Sequence, residues 1–285
     1  MTNEKIAVLT DSGSDVPVDL LKKFHIYELP LGINYKDHSY KDRVDITPEE
    51  VYSNLTKEIP KTSLPTAGEV HEKLNQIIAD GYTHVIIPLL SSGLSGTYQT
   101  VKMVCSEFTQ IKTAVIDTKN IALASGFFSI YASELIEKGL GFDEIVAKLE
   151  SKISKSHIYY SLETLQYLVK GGRLGRVEGM LGSILQIKPI IACDENGIYH
   201  TVEKVRGRKK SISKTMEIVE NGLKNTKKYY LAISHGAAQE EADKVIEMMK
   251  PYIDHATLFM SGQISASLGV HTGPGLVGIG FFELD

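Results

Sequence analysis

Short apolar runs that stop abruptly at polar turns recur along this 285-residue chain. Ile6-Ala7-Val8-Leu9 ends at Asp11-Ser12-Gly13-Ser14-Asp15, His84-Val85-Ile86-Ile87 leads to Ser91 through Thr97, and Thr113-Ala114-Val115-Ile116 ends at Asp117-Thr118. Runs of this length, bounded by turn formers, predict buried strands. Between them the period changes: Tyr98, Val101, Val104, Cys105 and Phe108 fall at helical intervals, and Asn120 to Lys138 reads as a long, largely apolar helix stopped by Gly139. Thr47-Pro48-Glu49-Glu50 is a capping box that opens a helix to about Glu58, and Thr66-Ala67-Gly68-Glu69 opens another that ends at Gly81. Tyr27 to Ile33 reads as a strand, whereas Lys61-Thr62-Ser63-Leu64-Pro65 offers little regular structure. Strand and helix in alternation predict an open α/β sheet, whose ligands collect at the carboxyl ends of strands.

A second half begins at Ile158-Tyr159-Tyr160. A helix over Leu162 to Val169, a short helix over Gly179 to Ile187 and a hairpin turning at Gly197 follow in order. Then come a strand from Tyr229 to Ser234, a helix from Ala238 to Met249, a strand around Thr257 to Met260, a glycine turn over Gly269 to Gly275 and a closing strand from Val277 to Leu284. The restart places a boundary near Ser154 to His157, giving units 1–155 and 156–285.

Composition narrows the functions. Hydrophobic residues make up 42% and charged residues 23%, as in soluble globular chains. A formal net charge of -4 gives no general attraction to nucleic acid or to an anionic membrane. Cys105 and Cys193 make no disulfide framework and read as small buried hydrophobes. No apolar run approaches the roughly 20 residues that span a bilayer, and the first residues lack a signal-peptide pattern, so a cytoplasmic protein is expected.

The candidate chemistry lies in four polar turns, at Asp11/Ser12, Thr62/Ser63, Ser91 to Thr97 and His271/Thr272. If they converge, they form a hydroxyl-rich pocket with one histidine and no arginine, suited to a carboxylate or carbonyl head group. Taken alone, the Ser91 to Thr97 turn is equally a helix cap or a ligand cradle. No hydrolase elbow, H-E-x-x-H, phosphate loop or G-x-G-x-x-G is present. Arg173 and Arg176 on a Gly171-Gly172 corner, with the run Arg206-Gly207-Arg208-Lys209-Lys210, are either solvated cations or a docking patch for an acidic partner.

Together Thr10-Asp11-Ser12, Lys61-Thr62-Ser63-Leu64-Pro65, Leu90-Ser91-Ser92-Gly93-Leu94-Ser95-Gly96-Thr97, Asp117-Thr118, Gly171-Gly172-Arg173, Lys188-Pro189, Lys204-Val205-Arg206 and His271-Thr272-Gly273-Pro274-Gly275 resemble the DegV family, in order and over essentially the whole chain. The resemblance implies a two-domain fold, with a parallel-sheet α/β domain, a mixed α/β domain and a long-chain fatty acid held between them. It implies no cofactor beyond that ligand, and a separate fatty-acid kinase as the partner that phosphorylates the carboxylate. Thr62, Ser63 and Ser95 would hold the carboxylate, with His271, Ser92 and Thr272 nearby, and Arg173 and Arg206 would dock the kinase. Leu64 stands where the family often has glutamine, which matters little if the side chain faces away from the ligand.

The energetics agree. About fifteen buried methylenes at ~0.8 kcal/mol each offer ~12 kcal/mol before ordering costs, so the tail supplies affinity and the head group needs only orientation. Neutral hydroxyls orient a carboxylate without the bidentate grip of an arginine, which would tie up the attacking lone pairs. Leu123, Phe127, Phe128, Leu165, Leu168, Met180, Leu181, Ile184 and Leu185 are candidate tail contacts, although ordinary core is the better reading for most of them. The competing reading is a self-contained acyl- or phosphoryl-transfer enzyme that uses Ser95 or Thr62 with His271.

Overall fold

The computed structural model describes residues 4–180 and 187–285. Its first layer is a parallel sheet in which β1 (Ile6–Asp11) lies between β2 (Tyr27–Leu29) and β6 (His84–Leu89), with β7 (Lys112–Asp117) on the far side of β6. Val8 stands opposite Ile86, and Ile86 opposite Ala114. Both faces are covered, which is why these strands read as continuous apolar runs. Ile6, Val8, Ile86 and Ile116 face one core, whereas Ala7, Leu9, Val85 and Ile87 alternate onto the other, against Val70, Leu74 and Ile77 of helix Ala67–Ala79 and Val101 and Val104 of helix Thr97–Cys105.

The predicted strand from Tyr27 to Ile33 is two strands. Pro30 and Leu31 separate β2 from β3 (Gly32–Asn34), because proline has no N–H for a ladder. β3 is the centre of a three-stranded antiparallel sheet between β4 (Ser39–Lys41) and β5 (Lys61–Ser63). The segment expected to be irregular is therefore a strand, placing Thr62 opposite Ile33 and Ser63 opposite Gly32. Both capping boxes form, on Thr47 with Glu50 and on Thr66 with Glu69.

The second half is a mixed sheet in the order β10 (Tyr199–Arg206), β9 (Ile187–Cys193), β8 (Ser156–Ser161), β13 (Leu276–Glu283), β11 (Tyr229–Gly236), β12 (Leu258–Gln263). Only the β11/β12 pair is parallel among its described pairings. Helices Arg208–Leu223 and Gln239–Met248 cover one face through Ile212, Met216, Val219 and Val245. The other face receives helix Leu123–Glu137, which also packs on β1 and β6 and so lies between the two large sheets. Eleven of its residues are buried. There Phe127 packs at a tilt on Tyr230 and Phe128 meets Phe282 edge to face, and Leu168 joins the same cluster.

The tail differs from expectation. Ala266–Thr272 is a helix, ended by Gly273 at φ 65, rather than a turn from Gly269. The helix predicted over Leu162 to Val169 is confined to Gln166–Lys170. Of the one expected from Gly179 to Ile187, Gly179 and Met180 close a 3-10 helix (Gly175–Met180), Ile187 opens β9, and 181–186, with Leu181, Ile184 and Leu185, lie outside the described residues. No described helix is long and apolar enough to cross a membrane.

Candidate functional site

Three of the four polar turns meet. Thr62 and Ser63 on β5, Ser95 before helix Thr97–Cys105, and His271 and Thr272 at the end of helix Ala266–Thr272 line one cavity of about 310 Å³. Leu31, Leu90, Leu94, Ile121, Tyr199 and Leu268 give it apolar walls. Residues from both halves of the chain contribute, so no single element carries the site.

Three of the hydroxyls at its polar end have a protein partner behind them, whereas Thr272 donates its own O–H to Leu268 O at 3.1 Å. Thr62 Oγ1 lies 2.7 Å from His271 Nε2. Ser63 Oγ accepts from Asn34 Nδ2 at 3.1 Å. Ser95 Oγ accepts the Thr97 N–H at 3.2 Å and lies 2.8 Å from Thr97 Oγ1. The Ser95 turn is thus both things its sequence allowed, a local cap and a cavity wall.

The histidine tautomer follows from packing. His271 Nδ1 is buried without a hydrogen-bond partner among the described residues. It faces the bare Cα of Gly171, where an added Cβ would overlap it. A buried N–H without an acceptor costs more than a bare ring nitrogen, so the proton is assigned to Nε2, which donates to Thr62. That leaves the Thr62 O–H to donate into the cavity. Burial and then the nearby Arg173 charge push the imidazole pKa down to about 4, so His271 is neutral at pH 7.

Asp11 and Ser12, expected at the ligand, lie behind it instead. Asp11 Oδ2 accepts the Leu90 N–H at 2.8 Å, fixing the start of the Ser91 turn, and burial pushes its carboxyl up to about 7. Ser12 donates to Asp42 Oδ2 at 2.9 Å and accepts the Leu31 N–H at 3.0 Å. Asp42, unremarked in the sequence, also accepts from Ala266 N–H at 3.1 Å and Ser267 Oγ at 2.5 Å, so it anchors the helix that carries His271. The buried Asp in a polar stretch Lys41-Asp42-Arg43 has no periodicity to reveal it.

Three further placements differ from expectation. Ser92 is not among the lining residues; its N–H binds Asp117 Oδ1 at 3.1 Å and its Oγ accepts from Lys119 at 3.3 Å. Arg173 is in the cavity wall, so the pocket has an arginine after all. Its Nη1 donates to Gly171 O at 2.7 Å and its Nε to Leu94 O at 3.3 Å, so part of its fork is spent on carbonyls. Leu64 also lines the cavity rather than facing away. Arg206 is exposed on β10, at the opposite edge of its sheet from β12.

Parallel and mixed sheets sharing one helix, with a hydroxyl-ended, apolar-walled cavity at their margin, define an α/β protein built on two large sheets and one small one, with a ligand cavity. Residues 5–284 match the family described as "Uncharacterised protein, DegV family", and the chain belongs to that family. A DegV domain-containing protein of Clostridium acetobutylicum is 43% identical over 280 residues, covering 98% of this chain and 99% of that one. The crystal structure of DegV from Bacillus subtilis, described as a fatty acid binding protein, has a TM-score of 0.90 at 31% identity, covering 99% of this chain and all of that one. A DegV family protein from Thermus thermophilus, described by its fatty acid binding, has a TM-score of 0.90 at 26% identity, over 98% of this chain and 100% of its own.

Proposed function

We propose that this chain is a cytoplasmic carrier that holds a long-chain fatty acid between its 1–155 and 156–285 units and presents the carboxylate to a separate fatty-acid kinase. The observation that carries this reading is the meeting of Thr62, Ser63, Ser95, His271 and Thr272, from distant parts of the chain, at one end of an apolar-walled cavity. In it, three hydroxyls donate to the carboxylate while their own oxygens are occupied by Asn34, Thr97 and His271. Such chains of donors polarise one another and favour an anionic acceptor. The amino end of helix Thr97–Cys105 adds a positive field beside Ser95 and Gly96. Arg173 lowers the cost of an anion without closing a bidentate fork on it. Binding of related proteins to fatty acids supports the choice of ligand.

The Thr62–His271 pair favours one alternative, a transferase with His271 as base. Against it, a nucleophile's base needs a third group to orient it, and His271 Nδ1 has none among the described residues; with a pKa of about 4 it is also a poor acceptor of a proton at pH 7.

The test is organic extraction of the purified protein with mass spectrometry, followed by incubation with ATP and palmitate, with and without a fatty-acid kinase. A long-chain fatty acid in the extract, and acyl phosphate only when the kinase is present, are expected. An empty extract from protein that also fails to take up added palmitate refutes the lipid reading, and acyl phosphate made by the lone chain refutes the carrier role.

A further inference from the structure

The outer edge of β12 is a sheet margin that the sequence leaves unguarded. Of the described edge strands, β2, β4, β5, β7 and β10 each carry a charged side chain, and β10 also shifts register between Thr201 and Glu203. Such charges and irregularities keep foreign strands from pairing. β12 has neither: Leu258-Phe259-Met260-Ser261-Gly262-Gln263 holds no charge and no proline, and pairs with β11 in one unbroken register. Leu284 and Gly275 donate to the Lys228 and Gly236 carbonyls on the β13 side of β11, so alternate β11 residues, Leu231, Ile233 and His235, face β12. Ile264 N–H accordingly donates to His235 O at 2.9 Å. By the same alternation Met260 and Gly262 bond to β11, and the main-chain groups of Phe259 and Ser261 point outward. Met260 is buried and Ser261 exposed, as this requires.

A groove of about 610 Å³ lies beside the end of this strand, with Ser261 to Ser265 on one wall and Arg43 to Pro48 on another. Val18 and Val44 in its lining are 52% and 71% exposed, so apolar surface stands open there. The groove is acidic. Asp45 and Glu50 are exposed, and among the described residues its lining has no lysine and one arginine, Arg43, which is paired with Glu28 at 2.8 Å. A third carboxyl, Asp15, is pushed up to about 7 by burial, so the two exposed carboxylates carry most of the charge.

We propose that the β12 edge and this groove dock an extended, basic segment of another protein, which adds a further strand to the mixed sheet. Main-chain hydrogen bonds to Phe259 and Ser261 supply affinity, and the period of two in the incoming strand supplies specificity, with cations toward Asp45 and Glu50 and small apolar side chains on Val18 and Val44. A second copy of the chain suits the edge less well, because it would bring two acidic grooves together. The inference is independent of the lipid reading, since no residue lines both this groove and the cavity of Thr62 and His271.

The test uses the full chain and two synthetic peptides with blocked ends, Lys-Val-Lys-Val-Lys-Val and Glu-Val-Glu-Val-Glu-Val, with calorimetry for affinity and hydrogen–deuterium exchange for location. The lysine peptide is expected to bind and to slow exchange across 257–263, and the glutamate peptide to bind roughly tenfold more weakly or not at all. Ser261→Pro removes an outward N–H while leaving the β11 ladder intact, and is expected to weaken the lysine peptide roughly tenfold. Asp45→Asn/Glu50→Gln keeps the acceptors that hold Lys41 N–H and Thr47 N–H but removes the charge, and is expected to weaken it roughly fivefold, with the deficit vanishing as salt rises. No binding of the lysine peptide, equal binding of the two peptides, or unchanged binding to either folded variant would overturn the docking site. A dimer of the unaltered chain that Ser261→Pro breaks would give the edge to a second copy and overturn the choice of occupant.

Discussion

Gly171→Ala tests whether His271 works through Thr62. Gly171 has an ordinary φ of -80, so alanine costs nothing in backbone conformation. What it meets is the imidazole: the new Cβ would overlap Nδ1, lie 2.9 Å from Cε1 and 3.1 Å from Tyr167 O. The ring cannot simply slide toward Thr62, which already stands 2.7 Å from Nε2. It must turn, and Thr62 then loses its donor and its O–H is free to rotate away from the cavity. Losing one hydrogen bond to a charged acceptor is worth about 1.5–3 kcal/mol, which is roughly 10- to 150-fold in palmitate affinity. Crowding a packed site costs about 1–3 kcal/mol of stability, so thermal denaturation must accompany the titration. Thr62→Val supplies the second corner of a double-mutant cycle. If both residues act on one hydroxyl, the double variant binds little worse than either single one. Folded Gly171→Ala protein with unaltered palmitate affinity, or strictly additive losses in the cycle, would refute the reasoning.

Asp42→Ala leaves Ser12 Oγ, Ser267 Oγ and Ala266 N–H without their shared acceptor, and is expected to lower stability by about 2–4 kcal/mol, read by urea denaturation. Asp11 has its pKa raised from 3.8 to about 7 by burial, so the folded state holds a proton that the unfolded state releases; stability falls as pH rises from about 4 to 7. Asp11→Asn removes that loss, and its advantage over the unaltered chain should grow across this window, by on the order of 4 kcal/mol at most; a constant difference would contradict the assignment. His271, with its pKa near 4, stays neutral above pH 6, so palmitate affinity should show no histidine step between pH 6 and 8; a titration centred near 6.5 would contradict this.

The sequence was most legible where a local rule acts alone. The two capping boxes need only Thr47 with Glu50 and Thr66 with Glu69, four residues whose partners are neighbours in the chain, and both form. The parallel strands announced themselves because burial on both faces writes an unbroken apolar run. Lys61–Ser63 was not legible as a strand, since three residues are too few to show a period of two and their pairing partner Gly32–Asn34 is distant in sequence. The helix Ala266–Thr272 was hidden by Gly269, which has no place in a helix by propensity but packs closely on Tyr52 here. Thr62, Ser63, Ser95 and His271 were named from their turns and a family resemblance. Arg173 was named only as a docking residue and Asp42 not at all, because the place of each is set by tertiary contacts: Arg173 by the carbonyls of Gly171 and Leu94, Asp42 by three donors from two segments.

Helix Leu123–Glu137 has a consequence for how the molecule comes apart. With sheets against both its flanks, it is a common beam for two roofs, and neither can lose it while the other stands. Heat should therefore melt the chain in a single cooperative step, and weakness introduced at Phe127 or Phe128 should be felt as strongly by Val8 as by Phe282.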